Sequence, residues 1–170
     1  MKKVNFIKMQ SLGNDFIIID NLVTGYRKLI NRNAIFIKGD IKNFKQLSKT
    51  IYKYKINSVI HLAAYLNISE AERNRKKYYQ NNVIGTFNLI KCCKSSNIKS
   101  IVFSSSCSIY GNTIGAVNEN KRANPIGYYA RTKYEGEKII ISTQKNLIIS
   151  IKTKYLPMAV LDILKNGLKN

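Results

Sequence analysis

The sequence predicts an α/β fold, a doubly wound parallel sheet whose strands alternate with helices along the chain. Short apolar runs of strand length alternate with amphipathic stretches at helical spacing, and most of the runs end in turn residues. The size agrees, because 170 residues with 45% hydrophobic residues suffice for one domain with a packed core. Open parallel sheets bind their ligands at the carboxyl ends of the strands. Functional residues are therefore expected where the apolar runs end.

The chain begins with two short apolar runs. Residues 4–9 and 16–19 are predicted to be strands, joined by a turn over 10–15 that is centred on Gly13 and Asn14. A connection this short permits only an antiparallel pair, since parallel neighbours need a crossover of about a dozen residues.

The remaining elements follow from apolar spacing and turn residues. Strands are predicted over 34–38, 58–62, 100–103 and 147–151. Helices are predicted over 43–55 and over 78–90, with Val83, Phe87 and Ile90 facing inward. A third helix carries Tyr129 and Lys133; it begins just after Pro125 and runs to about Lys138. A polar loop is predicted over 112–123. Residues 155–170 are predicted to form an amphipathic, helix-like tail.

The formal net charge of +20 would suit a polyanionic partner such as nucleic acid. The lysines are spread from Lys2 to Lys169, however, and do not form the localised basic stripe that a nucleic-acid footprint needs. We therefore expect solvated surface lysines and no nucleic-acid partner. A nucleotide substrate would still be attracted by the positive field.

Cysteine and histidine usage limits the chemistry. Cys92, Cys93 and Cys107 are odd in number and two are adjacent, so no disulfide framework is predicted and a reducing compartment fits. No metal-ligand spacing is present, because His61 is the only histidine. The amino terminus lacks the apolar core of a signal peptide, and no run is long enough to span a membrane. The expectation is a cytoplasmic protein without a metal ion.

The segment 104–133 carries the clearest chemical pattern. SSSCSIYG, residues 104–111, follows the apolar run at 100–103, and YYARTK places Tyr129 and Lys133 one helical turn apart. Side chains at i and i+4 are neighbours on a helix, and a nearby ammonium lowers the pKa of a phenol. Such a pair arises readily by chance in a chain rich in Tyr and Lys, but the serine cluster upstream makes the combination more specific. We therefore predict a polarised Tyr129 that acts as a general base.

These motifs resemble the extended short-chain dehydrogenase/reductase family, and most closely its UDP-glucose 4-epimerases. Dehydratases of the family carry Thr-Asp-Glu where this chain has Ser104 to Ser106, which favours the epimerase branch. The resemblance implies that Ser106, Tyr129 and Lys133 are catalytic. It implies a UDP-sugar substrate, UDP-glucose or UDP-galactose, that is oxidised transiently at C4 with NAD. Tyr129 would take the 4-hydroxyl proton, Lys133 would tune Tyr129 and hold the nicotinamide ribose, and Ser106 would bind the reacting oxygen.

The same resemblance implies an NAD site at the strand ends. Asp20, in DNLVTG, would accept the adenosine ribose hydroxyls, and an acid there selects NAD over its phosphorylated form. An ordinary turn or helix-cap role for Asp20 remains open. Asp40, which follows the strand at 34–38, would lie beside the adenine.

Small residues continue the implied site after the fourth strand. Ala63 and Ala64 would let the flat cofactor pack against the backbone. Asn82 would lie near the nicotinamide and the sugar, or else serve as a helix-packing amide. His61 is expected to be satisfied locally and not to act as a base. The implied cofactor-binding set is Asp20, Asn21, Asp40, Ile41, Leu62, Ala63, Ala64, Asn82, Tyr129 and Lys133.

The amino-terminal segment departs from the family. A strand, a Gly-rich turn and a helix should hold the pyrophosphate, but Gly13 stands alone and the next glycine is Gly25. KMQSLGNDFIIID, residues 8–20, instead resembles the start of diaminopimelate epimerase, in which Asn14 would touch substrate. We interpret the chain as composite: a hairpin segment at 1–20, a partial Rossmann-like NAD-binding domain at 21–152 and a divergent tail at 153–170.

This departure predicts where the first strand lies. In the family order 3-2-1-4-5-6, residues 16–19 take the second position and leave the central first position empty. An empty centre would leave two rows of backbone groups unpaired, at roughly a few kcal/mol per buried group. We therefore predict that residues 4–9 fill the central position, antiparallel to residues 16–19.

Several functions remain open at this stage. The first is an epimerase impaired by the lack of the Gly-rich unit and of the family's carboxyl-terminal substrate domain. The second is an inactive remnant that keeps the catalytic residues, and the third is a basic binding module. Diaminopimelate epimerase activity is the weakest alternative, because the cysteines match neither catalytic thiol of that family. A second copy of the chain, in a homodimer, is a further partner that the resemblance allows.

Overall fold

The computed structural model describes residues 7–11, 16–98, 100–114, 117–118, 120–143 and 148–152. Within these residues six strands form one sheet in the order β3-β2-β1-β4-β5-β6. The strands are β1 (Ile7–Ser11), β2 (Phe16–Asp20), β3 (Ile35–Lys38), β4 (Ile56–His61), β5 (Ser100–Ser104) and β6 (Ile148–Lys152). β2 pairs parallel with β3, and β4, β5 and β6 pair parallel in sequence. The Rossmann-like α/β fold is thereby confirmed.

β1 lies in the centre of the sheet and runs against both neighbours. It pairs antiparallel with β2, where Lys8 lies opposite Ile18, and antiparallel with β4, where Lys8 lies opposite Ile60. The predicted antiparallel strand in the central position is confirmed, with bounds Ile7–Ser11. The connection to β2 is too short to cross the sheet, which is why the strand runs in this direction. Residues 4–6 of the predicted strand lie outside the described residues.

The first helix follows the apolar spacing of the sequence. α1 (Phe44–Lys53) starts after Asn43, whose side-chain oxygen accepts a hydrogen bond from the Gln46 amide at 3.1 Å. Its buried face carries Leu47 and Ile51, which are one turn apart. The predicted crossover helix between β3 and β4 is confirmed.

Four further helical segments follow β4 and β5. They are α2 (Ile68–Arg73), α3 (Arg75–Tyr78), α4 (Gly85–Ser95) and α5 (Tyr128–Ile141). A π-helical turn, Tyr79–Ile84, joins α3 to α4 without a break. The six-residue helix α2 was not predicted.

The π-helical turn corrects one prediction. Val83 and Ile90 are buried as expected, but Phe87 is 51% exposed, so its inward placement was wrong. A π turn holds more residues than 3.6 per turn, so it rotates the following residues relative to a regular helix. As a result α4 buries Leu89 beside Ile90 and leaves Phe87 at the surface.

One hydrophobic core lies between the sheet and the three long helices α1, α4 and α5. Alternate strand residues face this core, namely Ile17, Ile19, Val59, Ile101 and Phe103. The intervening residues Ile18, Ile60 and Val102 point to the other face of the sheet and are also buried. The segment between β2 and β3 contains a short 3-10 turn, Arg27–Leu29, and no longer helix. In the described part of the chain the long helices therefore share one face.

Two predicted segments fall outside the description. The turn residues 12–15 and the amphipathic tail at 155–170 are not among the described residues. Of the helices that are described, none combines the length and the apolar character that crossing a bilayer requires.

Candidate functional site

The carboxyl ends of the parallel strands meet along one edge of the sheet. Asp20 ends β2, His61 ends β4 and Ser104 ends β5. β1 runs the other way and so brings its amino end to this edge, where Ile7 pairs with both Ile19 and His61. We call this edge the ligand edge, because open α/β sheets bind their ligands there.

A pocket lies at the ligand edge, beside the ends of β2, β3 and β4. Five of the predicted cofactor-binding residues line it, namely Asp20, Asn21, Ile41, Ala63 and Ala64. Ile19, Thr24, Gly39, Tyr65 and Asn81 line it as well and were not singled out from the sequence. Gly39 could have been predicted as a pocket residue, because it stands between an apolar run and Asp40. Thr24 and Tyr65 lie on irregular segments, whose side-chain directions no periodicity predicts.

Asp20 is the buried carboxylate of the pocket. Its Oδ1 accepts a hydrogen bond from the Leu22 amide at 2.6 Å, whereas its Oδ2 has no hydrogen-bond partner. Burial raises the pKa of the Asp20 carboxyl, and the bond from Leu22 works against this rise. Gly25 lies against the carboxylate, because a Cβ there would come within 2.8 Å of Oδ2. A buried acceptor without a donor is costly, so this oxygen is suited to a hydroxyl donor on a ligand.

Asp40 lies outside the pocket and hydrogen-bonds a residue of the pocket wall. Its Oδ2 accepts a hydrogen bond from Asn21 Nδ2 at 3.1 Å, and its Oδ1 accepts one from the Lys42 amide at 2.8 Å. The Lys42 ammonium lies 3.5 Å from the same carboxylate. Asp40 is therefore placed to orient Asn21 at the pocket wall, which Asp40 itself does not line.

Ser106 and Tyr129 meet beyond the end of β5. Ser106 caps the 3-10 turn Cys107–Tyr110, and its Oγ accepts the Ser108 amide at 3.3 Å and lies 2.8 Å from Ser108 Oγ. The Ser106 hydroxyl also lies close enough to the phenol of Tyr129, on the first turn of α5, to lower the pKa of that phenol. Two of the three predicted catalytic side chains are thus near each other.

The expected lowering of the Tyr129 pKa is not found. Burial raises the pKa of Tyr129, and the nearby Ser106 hydroxyl offsets only part of that rise. The Lys133 ammonium lies 4.4 Å from the centroid of the Phe103 ring, on the sheet side of α5. Burial lowers the pKa of Lys133 to about 8. Tyr129 and Lys133 lie one turn apart on the helix, as predicted. This spacing does not determine the direction in which the lysine side chain points.

The predicted local satisfaction of His61 is found at one of its two ring nitrogens. Thr86 Oγ1 donates to the Asn82 carbonyl at 2.7 Å, so it accepts from His61 Nε2 at 2.9 Å. Nδ1 then carries the lone pair, and it is buried without a partner. Burial, together with the charge of Lys133, lowers the pKa of His61 to about 3. The ring is neutral near pH 7 and too weak a base for proton transfer there.

The contacts of Asn82 fit its predicted helix-packing role, whereas its place near the nicotinamide stays a prediction. Its Oδ1 accepts hydrogen bonds from the Tyr65 amide at 2.9 Å and from Asn81 Nδ2 at 3.0 Å. Its Nδ2 donates to the Tyr65 carbonyl at 3.1 Å and to Thr132 Oγ1 at 3.3 Å. With these four bonds the amide fastens the segment after β4 to α5. Its neighbour Asn81 lines the pocket instead.

β1 ends and β2 begins at the edge opposite the pocket, where Gln10 pairs with Phe16. β1 occupies the central position of the sheet but runs against both neighbours, so its carboxyl end does not lie at the ligand edge. A Gly-rich turn that followed this strand would therefore be on the wrong side for a pyrophosphate. The described residues of the ligand edge offer a ribose acceptor and an apolar wall.

The residues at the ligand edge fit the adenosine end of NAD. The unpartnered oxygen of Asp20 matches a ribose hydroxyl, and Ile41, Ala63 and Ala64 supply an apolar wall against which a flat ring can pack. In the described part of the chain, His, Cys, Asp and Glu side chains do not gather in threes as a metal site would require.

Comparison with known proteins agrees with this geometry. Residues 7–153 match the NAD dependent epimerase/dehydratase family. The UDP-glucose 4-epimerase of Lactobacillus helveticus is 39% identical over 134 residues, which cover 78% of this chain and 41% of that protein. The match to the family includes residues 7–20, whose resemblance to diaminopimelate epimerase stays a prediction.

Solved structures of UDP-glucose 4-epimerases are also similar to this chain. The UDP-glucose 4-epimerase from Brucella ovis in complex with NAD has a TM-score of 0.75 and 34% identity, covering 79% of this chain and 42% of that one. The enzyme from Thermotoga maritima with UDP-glucose has a TM-score of 0.75 and 25% identity, covering 79% and 45%. The chain therefore spans about two fifths of the length of the relatives it matches.

Proposed function

Because the chain belongs to the NAD dependent epimerase/dehydratase family, we propose that it binds NAD at the ligand edge and interconverts UDP-glucose and UDP-galactose slowly. The observation that carries this proposal is the proximity of Ser106 and Tyr129 beyond the end of β5. It supplies a hydroxyl donor and a phenol to one reacting oxygen. The Brucella ovis enzyme with NAD and the Thermotoga maritima enzyme with UDP-glucose support the choice of cofactor and substrate.

Each end of the NAD molecule has residues suited to it. Asp20 accepts a hydroxyl of the adenosine ribose through its free Oδ2, and its negative charge disfavours a phosphate at that position. Asn21, oriented by Asp40, stands beside it. At the other end Lys133, charged below its pKa of about 8, would hold hydroxyls of the second ribose. When bound, NAD supplies the reversible acceptor for the hydride at C4 of the sugar.

Tyr129 transfers the proton, and Ser106 binds the reacting oxygen. Tyr129 takes the proton of the sugar 4-hydroxyl and returns it to the same oxygen on the other face of the sugar. Ser106 holds that oxygen through its hydroxyl while the charge changes. Because burial raises the pKa of Tyr129, the phenolate needed for the first step is scarce at neutral pH. This is one reason for slow turnover.

Weak cofactor anchoring is the second reason. A dianionic pyrophosphate is normally held by backbone amides at the start of a helix, and in this chain β1 takes the place of that unit. Interactions remote from the reacting carbon also position it, so their loss lowers turnover as well as affinity.

The proposal is tested by product formation. The purified chain, freed of bound nucleotide, is incubated at high concentration with UDP-galactose, with and without added NAD, and UDP-glucose is measured by ion-exchange chromatography. We expect slow formation of UDP-glucose that increases with added NAD. Equal formation without NAD would contradict the cofactor, and no formation at saturating NAD would contradict the activity.

A second candidate is a remnant that binds nucleotide without turnover. The raised pKa of Tyr129 and the displacement of the phosphate loop by β1 favour it. In that case NAD would bind at the ligand edge while no UDP-glucose is formed.

A further inference from the structure

α5 carries a second buried charge that the proposed chemistry does not use. Glu137 lies one helical turn after Lys133, and the two residues are 7% and 4% exposed. Two other charged residues of the helix, Glu135 and Lys138, form an ion pair that is about half exposed. A charged side chain is costly to bury unless an opposite charge or hydrogen bonds compensate it. The burial of both Lys133 and Glu137 on one helix face therefore requires an explanation.

Polar atoms without partners surround these two residues. Glu137 Oε1, Ser105 Oγ and His61 Nδ1 are all buried and lack a well-formed hydrogen bond. Ser105 nevertheless lies close enough to Glu137 to lower the pKa of its carboxyl. The Lys133 ammonium completes the group, above the ring of Phe103, which itself packs 5.3 Å from the His61 ring. Gly136 permits this packing, because a Cβ there would meet Phe103 Cζ at 2.9 Å.

The charges in this group act on one another. Burial lowers the pKa of Lys133, and Glu137 opposes that change. Burial raises the pKa of Glu137, and Ser105 and Lys133 oppose that change. His61 is the other titratable group under the influence of Lys133, and it stays neutral. Among these neighbours Glu137 alone supplies negative charge to the ammonium.

We propose that Glu137 is a positioning residue, the buried counter-charge that keeps Lys133 in its ammonium form beneath α5 at the ligand edge. The attraction acts where the dielectric constant is low, so it is several times stronger than in water. A neutral Lys133 would lose its hold on ligand hydroxyls as a cation. The inference concerns the role of Lys133 in the proposed function, but the protonation of Lys133 can be measured without any turnover.

The test compares Glu137→Gln with Glu135→Gln in the full chain. NMR of lysine side chains carrying a ¹³C label at Cε, followed across pH, reports the protonation of Lys133 without a reagent having to reach the buried ammonium. In the unaltered chain the midpoint of this titration should lie near pH 8. In Glu137→Gln we expect that midpoint to fall by about one pH unit or more, a roughly tenfold loss of proton affinity. In Glu135→Gln it should not move, because that carboxylate pairs with Lys138 at the surface.

An unchanged midpoint in folded Glu137→Gln would overturn the proposal. If Glu137→Gln does not fold, Ser105→Ala provides the test, since it removes the hydroxyl that favours the Glu137 carboxylate and removes no charge. A smaller fall of the Lys133 midpoint supports the proposal there, and no fall overturns it. The conversion of UDP-galactose is also measured across pH. If Glu137→Gln shifts the Lys133 midpoint but does not shift the loss of conversion at high pH, the role of Glu137 stands and the proposed role of Lys133 is contradicted.

Discussion

Replacing Tyr129 with phenylalanine should reduce the conversion of UDP-galactose to the level of a protein-free blank. The substitution removes only the hydroxyl near Ser106, so the group that exchanges a proton with the sugar is lost. A positioned acid–base group contributes about 10²- to 10⁴-fold to rate, which is enough to eliminate a slow activity. The measurement is single-turnover formation of UDP-glucose with the protein in excess over substrate.

The matched control is Tyr128→Phe, at the neighbouring residue of the same helix. Tyr128 is partly buried and has the Arg75 guanidinium 5.3 Å from its ring. Its replacement should leave the conversion rate near that of the unaltered chain. Substantial activity in Tyr129→Phe would show that another group moves the proton, and the assignment of Tyr129 would be wrong.

Replacing Lys8 with proline should unfold the domain. Lys8 pairs with Ile18 on one side and Ile60 on the other, so its amide lies between two strands in the centre of the sheet. Proline removes that amide as a donor, and its ring does not fit a central strand. The expected loss of unfolding free energy is about 3 kcal/mol or more, a large share of the stability of a small domain. Urea denaturation followed by circular dichroism measures it.

Lys8→Ala is the control at the same position, because it keeps the backbone amide. The urea midpoint of Lys8→Ala should be close to that of the unaltered chain. Equal midpoints for Lys8→Pro and Lys8→Ala would mean that the strand is not held between β2 and β4.

The sequence was sufficient for features that depend on local pattern or chain length. Leu47 and Ile51 recur at helical spacing and are buried on α1 as expected. The direction of β1 follows from the length of one connection, and its central position follows from the cost of unpaired backbone groups. Asp20 was identified through the family resemblance of DNLVTG, and the structure adds that one of its oxygens lacks a partner.

Features that depend on tertiary packing could not be predicted from the sequence. Phe87 is exposed because a π-helical turn precedes it, and no residue pattern marks that turn. The pKa of Tyr129 depends on how deeply α5 packs against its neighbours, and the direction of the Lys133 side chain depends on Phe103 of a distant strand. Asn81 and Asn82 are adjacent asparagines, and only the contacts with Tyr65 and Thr132 distinguish their roles.

Titration calorimetry with NAD tests the central claim that β1 displaces the phosphate loop while the adenosine end of the site persists. Without amides on the pyrophosphate, several charge-assisted hydrogen bonds are lost at about 1.5–3 kcal/mol each. We expect a dissociation constant near the millimolar range, roughly −4 kcal/mol, and further weakening in Asp20→Asn, which removes the charge that accepts the ribose hydroxyl. Submicromolar binding, or NAD retained through purification, would show that the chain rebuilds a phosphate site and would contradict this account.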